Sequence, residues 1–173
     1  MTNKNGVLVV GETSEGKLAS ISKEALACAR RLADELGSEV AIAILGSGME
    51  SAGYEAISFG ADKVYLVDDY LLDDFQVDVY LFVLERIVRD YNPQIVLSSK
   101  TSIGRDLAPR LAFRLGTGLI QDCIELWIDK DSGRLAANRP VFGGSFIATV
   151  VGEGTLQVAA IRSKAIEELE PQA

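Results

Sequence analysis

The sequence contains no histidine. That excludes histidine-ligated metals, Ser-His-Asp triads and Cys-His nucleophile pairs, so any catalysis would fall to lysine, carboxylates or a bound cofactor. Cysteine is scarce as well: Cys28 and Cys123 lie far apart in apolar segments and read as reduced core residues, not a disulfide. No apolar run reaches the roughly 18–20 residues that cross a bilayer. The opening MTNKNGVLVVGE enters a strand without an apolar leader or cleavage site, so no membrane insertion and a cytoplasmic location are expected. Positive charge is the minority sign. With 17 Lys and Arg against 25 Asp and Glu, the net charge is −8, which argues against nucleic-acid binding through phosphate contacts.

What is present is an ordinary globular composition, 48% hydrophobic and 24% charged over 173 residues, suited to one domain. GVLVVGE (6–12) reads as a buried parallel strand. Ser22 is placed to cap a helix over 23–36, whose apolar positions follow the 3.6-residue period and which Gly37 closes. EVAIAILG, KVYLVDD and QIVLSS read as further strands. Helices are expected over 49–61, closed by Gly60, and over 77–91, stopped by Asn92-Pro93. Pro109 predicts that the fourth helix begins near Arg105 or Asp106, with Asp106 as its cap.

This alternation predicts an α/β fold, a mostly parallel sheet with helices on both faces. Beyond Gly118, short alternating runs joined by DSG, GG and GEG predict hairpin strands that extend the sheet or form a small β excursion. SKAIEELEPQA reads as an acidic tail or the start of a linker, dividing the chain into a domain over 1–165 and a tail over 166–173.

Several motifs invite a chemical reading. Gly11–Lys17, GETSEGK, has the P-loop spacing, and KVYLVDD ends in an Asp68 that resembles the second NTPase motif. Leu18 stands where a P-loop needs the Ser or Thr that holds magnesium, so a polar turn is the better reading. Gly46-Ser47-Gly48 lacks a third glycine and reads as a turn. Asp68, Asp69, Asp73 and Asp74 lack the glycine and glutamate of a calcium loop and read as a solvated acidic loop, so no metal site is expected. Arg110 and Arg114 share a helix face that reads as solvated surface.

The stretch KTSIGRD (100–106) is better placed. In a doubly wound sheet the strand order reverses beside the first strand, and the loops after strands one and four flank one crevice. Gly11, Glu12 and Thr13 would then face Thr101, Ser102, Gly104 and Arg105, a candidate nucleotide crevice. The alternative, equally open here, is a strand-helix turn closed by its own hydroxyls.

VLVVGE with the later GKL, GADKVYLVDD, PQIVLSSKTSIGRDLAPRLAFRLGTGLIQD, NRPVFGGSFIATV and VAAIR together span nearly the whole chain. In this combination the sequence resembles the N-terminal domain of the electron transfer flavoprotein alpha subunit. The resemblance implies a fold related to the adenine-nucleotide hydrolase-like group. It further implies a heterodimer with a beta-type subunit, with FAD in a separate C-terminal domain and electrons received from dehydrogenases. AMP, or a second flavin in electron-bifurcating members, would belong to the beta subunit. No glycine-rich FAD motif occurs in this chain, and the sequence stops where the FAD-binding domain is expected to begin. On this reading the chain is a non-catalytic scaffold and docking domain, not an enzyme. Arg139, Pro140, Phe142, Gly143 and Gly144, within the segment 138–149, are its expected partner contacts. A standalone adenine-nucleotide-binding module using the loops after strands one and four is the alternative, and a P-loop NTPase a third reading.

Overall fold

The computed structural model describes residues 6–171. Residues 1–5 and 172–173, the start of the expected domain and the end of the expected tail, lie outside the described residues. In chain order the elements are β1 (Val7–Gly11), β2 (Thr13–Ser14), β3 (Lys17–Leu18), α1 (Ser20–Leu36), β4 (Val40–Gly46), α2 (Glu50–Ser58) and β5 (Lys63–Asp68). Then come α3 (Val77–Tyr91), β6 (Ile95–Ser99), α4 (Ser102–Arg114), β7 (Leu119–Cys123), β8 (Glu125–Ile128), β9 (Leu135–Val141), β10 (Phe146–Val151) and β11 (Gln157–Ile161).

Six strands form one parallel sheet in the order β5-β4-β1-β6-β11-β7. The order reverses at β1, as the alternating pattern predicts. Because side chains alternate across a strand, each buried strand feeds two cores. Val7, Val9, Ile42, Ile44, Ile95 and Leu97 pack beneath α1 and α2. Leu8, Val10, Ala41, Ala43 and Val96 face the other way, against α3 and α4. This explains the uninterrupted apolar runs: a strand covered on both faces has no polar side.

The C-terminal strands both extend the parallel sheet and leave it. β11 slots between β6 and β7, while β8, β9 and β10 form a separate antiparallel sheet in the order β10-β9-β8. Leu126, Leu135 and Ala137 of that sheet join the core on the α1 side. The chain after β11 then returns along α1. The Lys164 amide donates to Glu24 at 2.7 Å, Ser20 donates its hydroxyl to Glu168, and Ile166 packs against the same core.

Two helix starts differ from expectation. α1 begins at Ser20 with Ala19 before it, not at a Ser22 cap. Ser22 is buried in the first turn, where its hydroxyl donates to the Glu12 carbonyl (2.8 Å) and accepts from the Glu12 amide (2.7 Å). A side chain committed to the backbone of Glu12, in the link between β1 and β2, is not available to cap its own helix. α4 begins at Ser102, not near Arg105 or Asp106, because Thr101 is the cap: its Oγ1 accepts the Gly104 amide at 3.0 Å. Pro109 sits inside the helix. It is exposed, as is Arg105 four residues back, so the carbonyl that loses its donor is on the solvent side of the helix.

Candidate functional site

The P-loop-like GETSEGK folds as a tight hairpin. Thr13 pairs with Leu18 and Ser14 with Lys17, and the two turn residues, Glu15 and Gly16, have φ of 54° and 74°. Two successive left-handed residues are what a two-residue hairpin turn of this hand requires. The chain therefore crosses the end of β1 as a ribbon instead of wrapping a phosphate. Two of the four acids between 68 and 74 are held by backbone amides. Asp68 accepts the Gly48 and Met49 amides (2.9 and 3.0 Å) at the entry to α2, and Asp69 accepts the Leu71 amide at 2.9 Å.

The reversal of strand order brings the loops after β1 and β6 together. Thr101 donates its hydroxyl to Glu12 Oε1 at 2.7 Å while accepting from Gly104, so both capacities of that hydroxyl are used inside the protein. Gly11, Glu12 and Thr13 line a crevice of about 150 Å³ with Val10, Ile103 and Leu107. Tyr80 and Asp73 complete its wall, the Tyr80 hydroxyl donating to the carbonyls of Leu72 (3.1 Å) and Leu45 (3.3 Å). Ser102 is exposed at the start of α4. Gly104 and Arg105 line a different crevice on the far side of the loop.

Two features of the Glu12 crevice oppose a nucleotide. It holds two carboxyl side chains, Glu12 and Asp73, and no cationic one. Its volume falls below the roughly 300–1,000 Å³ of ligand pockets.

Burial holds the Glu12 carboxyl above the usual glutamate range, with the Thr101 hydroxyl pulling the other way. A group whose pKa is raised on folding contributes stability below its unfolded pKa and loses that contribution as pH rises through the folded one. Ionised Glu12 thus works against folding at neutral pH. Glu12→Gln, which keeps an acceptor for Thr101, is expected to be more stable than the parent at pH 7. The gain should shrink as pH falls towards about 4. Urea titrations at both pH values check this, and a pH-independent difference would sink it. Thr101→Val removes the cap and is expected to cost about 1–2 kcal/mol, with Thr101→Ser restoring most of it.

The second candidate surface is the turn joining β9 to β10. Phe142, Gly143 and Gly144 form it with φ of 49°, 68° and 93°. The two phenylalanines flanking the turn stack edge to face, ring centroids 6.1 Å apart, yet stay open to solvent: Phe142 is 83% exposed and Phe146 66%. Ile147 and Val151 continue this apolar exposure along β10, the outermost strand of its sheet. Pro140 lies past the end of β8, where β9 is paired on one side only and a missing donor is tolerated. Arg139 is half-buried and its Nε is enclosed without a partner, so it is less a surface charge than the sequence suggests. Phe146 and Ile147 lie within the expected segment 138–149 but are not singled out by the sequence, because alternation does not say which face of a hairpin will be covered.

Cys28 and Cys123 are both buried and unlinked, and burial raises each thiol to about 12. Among the described residues no helix is long and apolar enough to cross a membrane, and no three metal-ligating side chains of the Cys, Asp and Glu type cluster.

Residues 7–173 match the family described as the electron transfer flavoprotein domain. The chain is 41% identical over 150 residues to an electron transfer flavoprotein subunit alpha of Thermoanaerobacterium thermosaccharolyticum, covering 87% of this chain and 45% of that protein. It is 41% identical over 165 residues to the subunit alpha of Clostridium acetobutylicum, covering 95% and 49%. Protein FixB of Azorhizobium caulinodans is 44% identical over 147 residues, covering 83% and 40%. The chain thus spans just under half the length of these relatives.

Proposed function

The chain belongs to the electron transfer flavoprotein family, and on that premise we propose that it is the scaffold and docking domain of an alpha-type subunit. In this reading it packs against a beta-type subunit and supports a FAD-binding domain, through which electrons from dehydrogenases pass. FAD resides in the assembly and not in this domain, and AMP, where present, belongs to the partner subunit. No side chain here is assigned a catalytic role.

The observation that carries the reading is the exposed apolar hairpin. Paired aromatics at the end of an edge strand are costly to leave in water, and large buried aromatics dominate protein interfaces. The edge strand adds unpaired backbone groups that a partner can satisfy. The contacts proposed are Pro140, Phe142, Gly143, Gly144, Phe146 and Ile147, with Arg139 beneath them. Against the standalone nucleotide-binding reading stand the acidic, small crevice at Glu12 and the internally satisfied Thr101.

The test is co-expression with a beta-type subunit and a FAD-binding domain from a close relative. A single complex carrying a flavin absorbance band is expected, while the chain alone is colourless. A chain that stays monomeric and colourless in that mixture overturns the reading.

A further inference from the structure

The loop after β6 has a second side. Away from Glu12 it faces β7, and there the sign of the charge reverses. Lys100, Gly104, Arg105, Gln121 and Ala160 line a crevice of about 100 Å³, several times the roughly 10–15 Å³ that admits one water.

The crevice is built on an irregularity. The register between β11 and β7 shifts between Ala159 and Ile161, and opposite this break Asp122 adopts φ of 66°. Such a bulge re-aims a side chain, and left-handed backbone outside glycine persists only where its surroundings fix it. Here the re-aimed carboxylate accepts Nε and one terminal nitrogen of Arg162, both at 2.7 Å, and its Oδ2 also receives Lys100 Nζ at 2.8 Å. Hydrogen bonds from Arg162, with Lys100 adding to them against the effect of burial, hold the Asp122 carboxyl down to about 2. It is therefore ionised throughout the neutral range and keeps two cations side by side. Arg105 opens onto the same crevice, and its guanidinium has no partner among the described residues.

Two cations thus share one acid, and a third, Arg105, lines the crevice beside Lys100, in a chain whose net charge is −8. Partly exposed ion pairs stabilise little on their own, so a strained bulge that collects cations is poorly explained as a stability device.

We infer that the crevice between the loop after β6 and strand β7 binds a small phosphate-class oxyanion through Lys100 and Arg105, with the Gln121 amide at its rim. Arg105 offers the planar fork that grips two oxygens, and Lys100 offers a point charge. Asp122 and Arg162 are positioning residues that hold Lys100 in place. The site is separate from the hairpin and does not depend on the subunit assignment.

Titration calorimetry of the 173-residue chain with inorganic pyrophosphate at low ionic strength tests this. One saturable site is expected. Arg105→Gln and Lys100→Gln should each weaken binding about tenfold or more, the loss of a charge-assisted hydrogen bond. Arg110→Gln, further along α4 and outside the crevice, should change it less than about twofold. Adenosine, lacking phosphate, should not bind. Thermal melts confirm that the variants are folded. The inference is overturned by the absence of saturable binding, by equal weakening in Arg110→Gln, or by adenosine binding as tightly as pyrophosphate.

Discussion

Gly104→Ala is expected to lower the melting temperature by roughly 10 °C, the equivalent of about 3 kcal/mol or more in a domain of this size. A Cβ at this position would lie 1.8 Å from the Ser99 carbonyl oxygen, 2.9 Å from its carbon and 3.3 Å from Ser98 Oγ. Those first two atoms are backbone, and neither side of the contact can give way. Ser99 ends a central strand, paired with Ile161 of β11, and the next amide, that of Lys100, donates to the Ile161 carbonyl at 2.7 Å. On the other side α4 is anchored by the buried Leu107 and Leu111. Relief would require lifting the first turn of α4 off the sheet, losing the Thr101 cap and its bond to Glu12 together. Gly118→Ala provides the control, since a Cβ there meets nothing within 4 Å and the backbone is not left-handed. It should change stability by no more than about 0.5 kcal/mol. Chemical denaturation of the two variants side by side decides the matter, and similar small effects for both would refute the close-approach argument.

The second large effect concerns assembly. Phe142→Asp combined with Phe146→Asp should weaken association with a beta-type subunit at least about a hundredfold. An interface anchor contributes about 2 kcal/mol or more, and each 1.4 kcal/mol is tenfold. The isolated chain should melt within a few degrees of the parent, because both rings are largely exposed and bury little on folding. Unfolding and docking defects are thereby separated in one pair of measurements. If the double variant binds the partner with parental affinity, the hairpin is not the docking surface. Arg139 makes a poorer probe. Its enclosed Nε means that replacing it disturbs packing and charge at once.

How far the sequence reached differs from element to element. The apolar runs of β1, β4 and β6 announced buried parallel strands. The 3.6-residue pattern of 77–91 coincides with α3, and Gly37 ends α1 with φ of 62°. The meeting of Glu12 with Thr101 also followed from reading, because a doubly wound order constrains which loops share an edge. The start of α4 is less legible, because Pro109 points to a start near Arg105 or Asp106 while the cap is Thr101, two residues after β6. Pro109 is tolerated because it lies on the exposed face of the helix.

By itself the sequence determined the local periodicities, the α/β class, the absence of histidine chemistry and the family. These are properties of neighbouring residues, or of a whole-chain match, and need no knowledge of long-range pairing. Only the tertiary structure decided that β11 enters between β6 and β7. That insertion brings Lys100, Asp122 and Arg162 within ion-pairing distance and, through the bulge opposite it, turns Asp122 towards the two cations. It likewise decided that Gly104 serves a steric need and not a turn. A glycine required by an approaching strand looks, in one dimension, like any other glycine, because the atom that excludes its Cβ belongs to a part of the chain placed there only by folding.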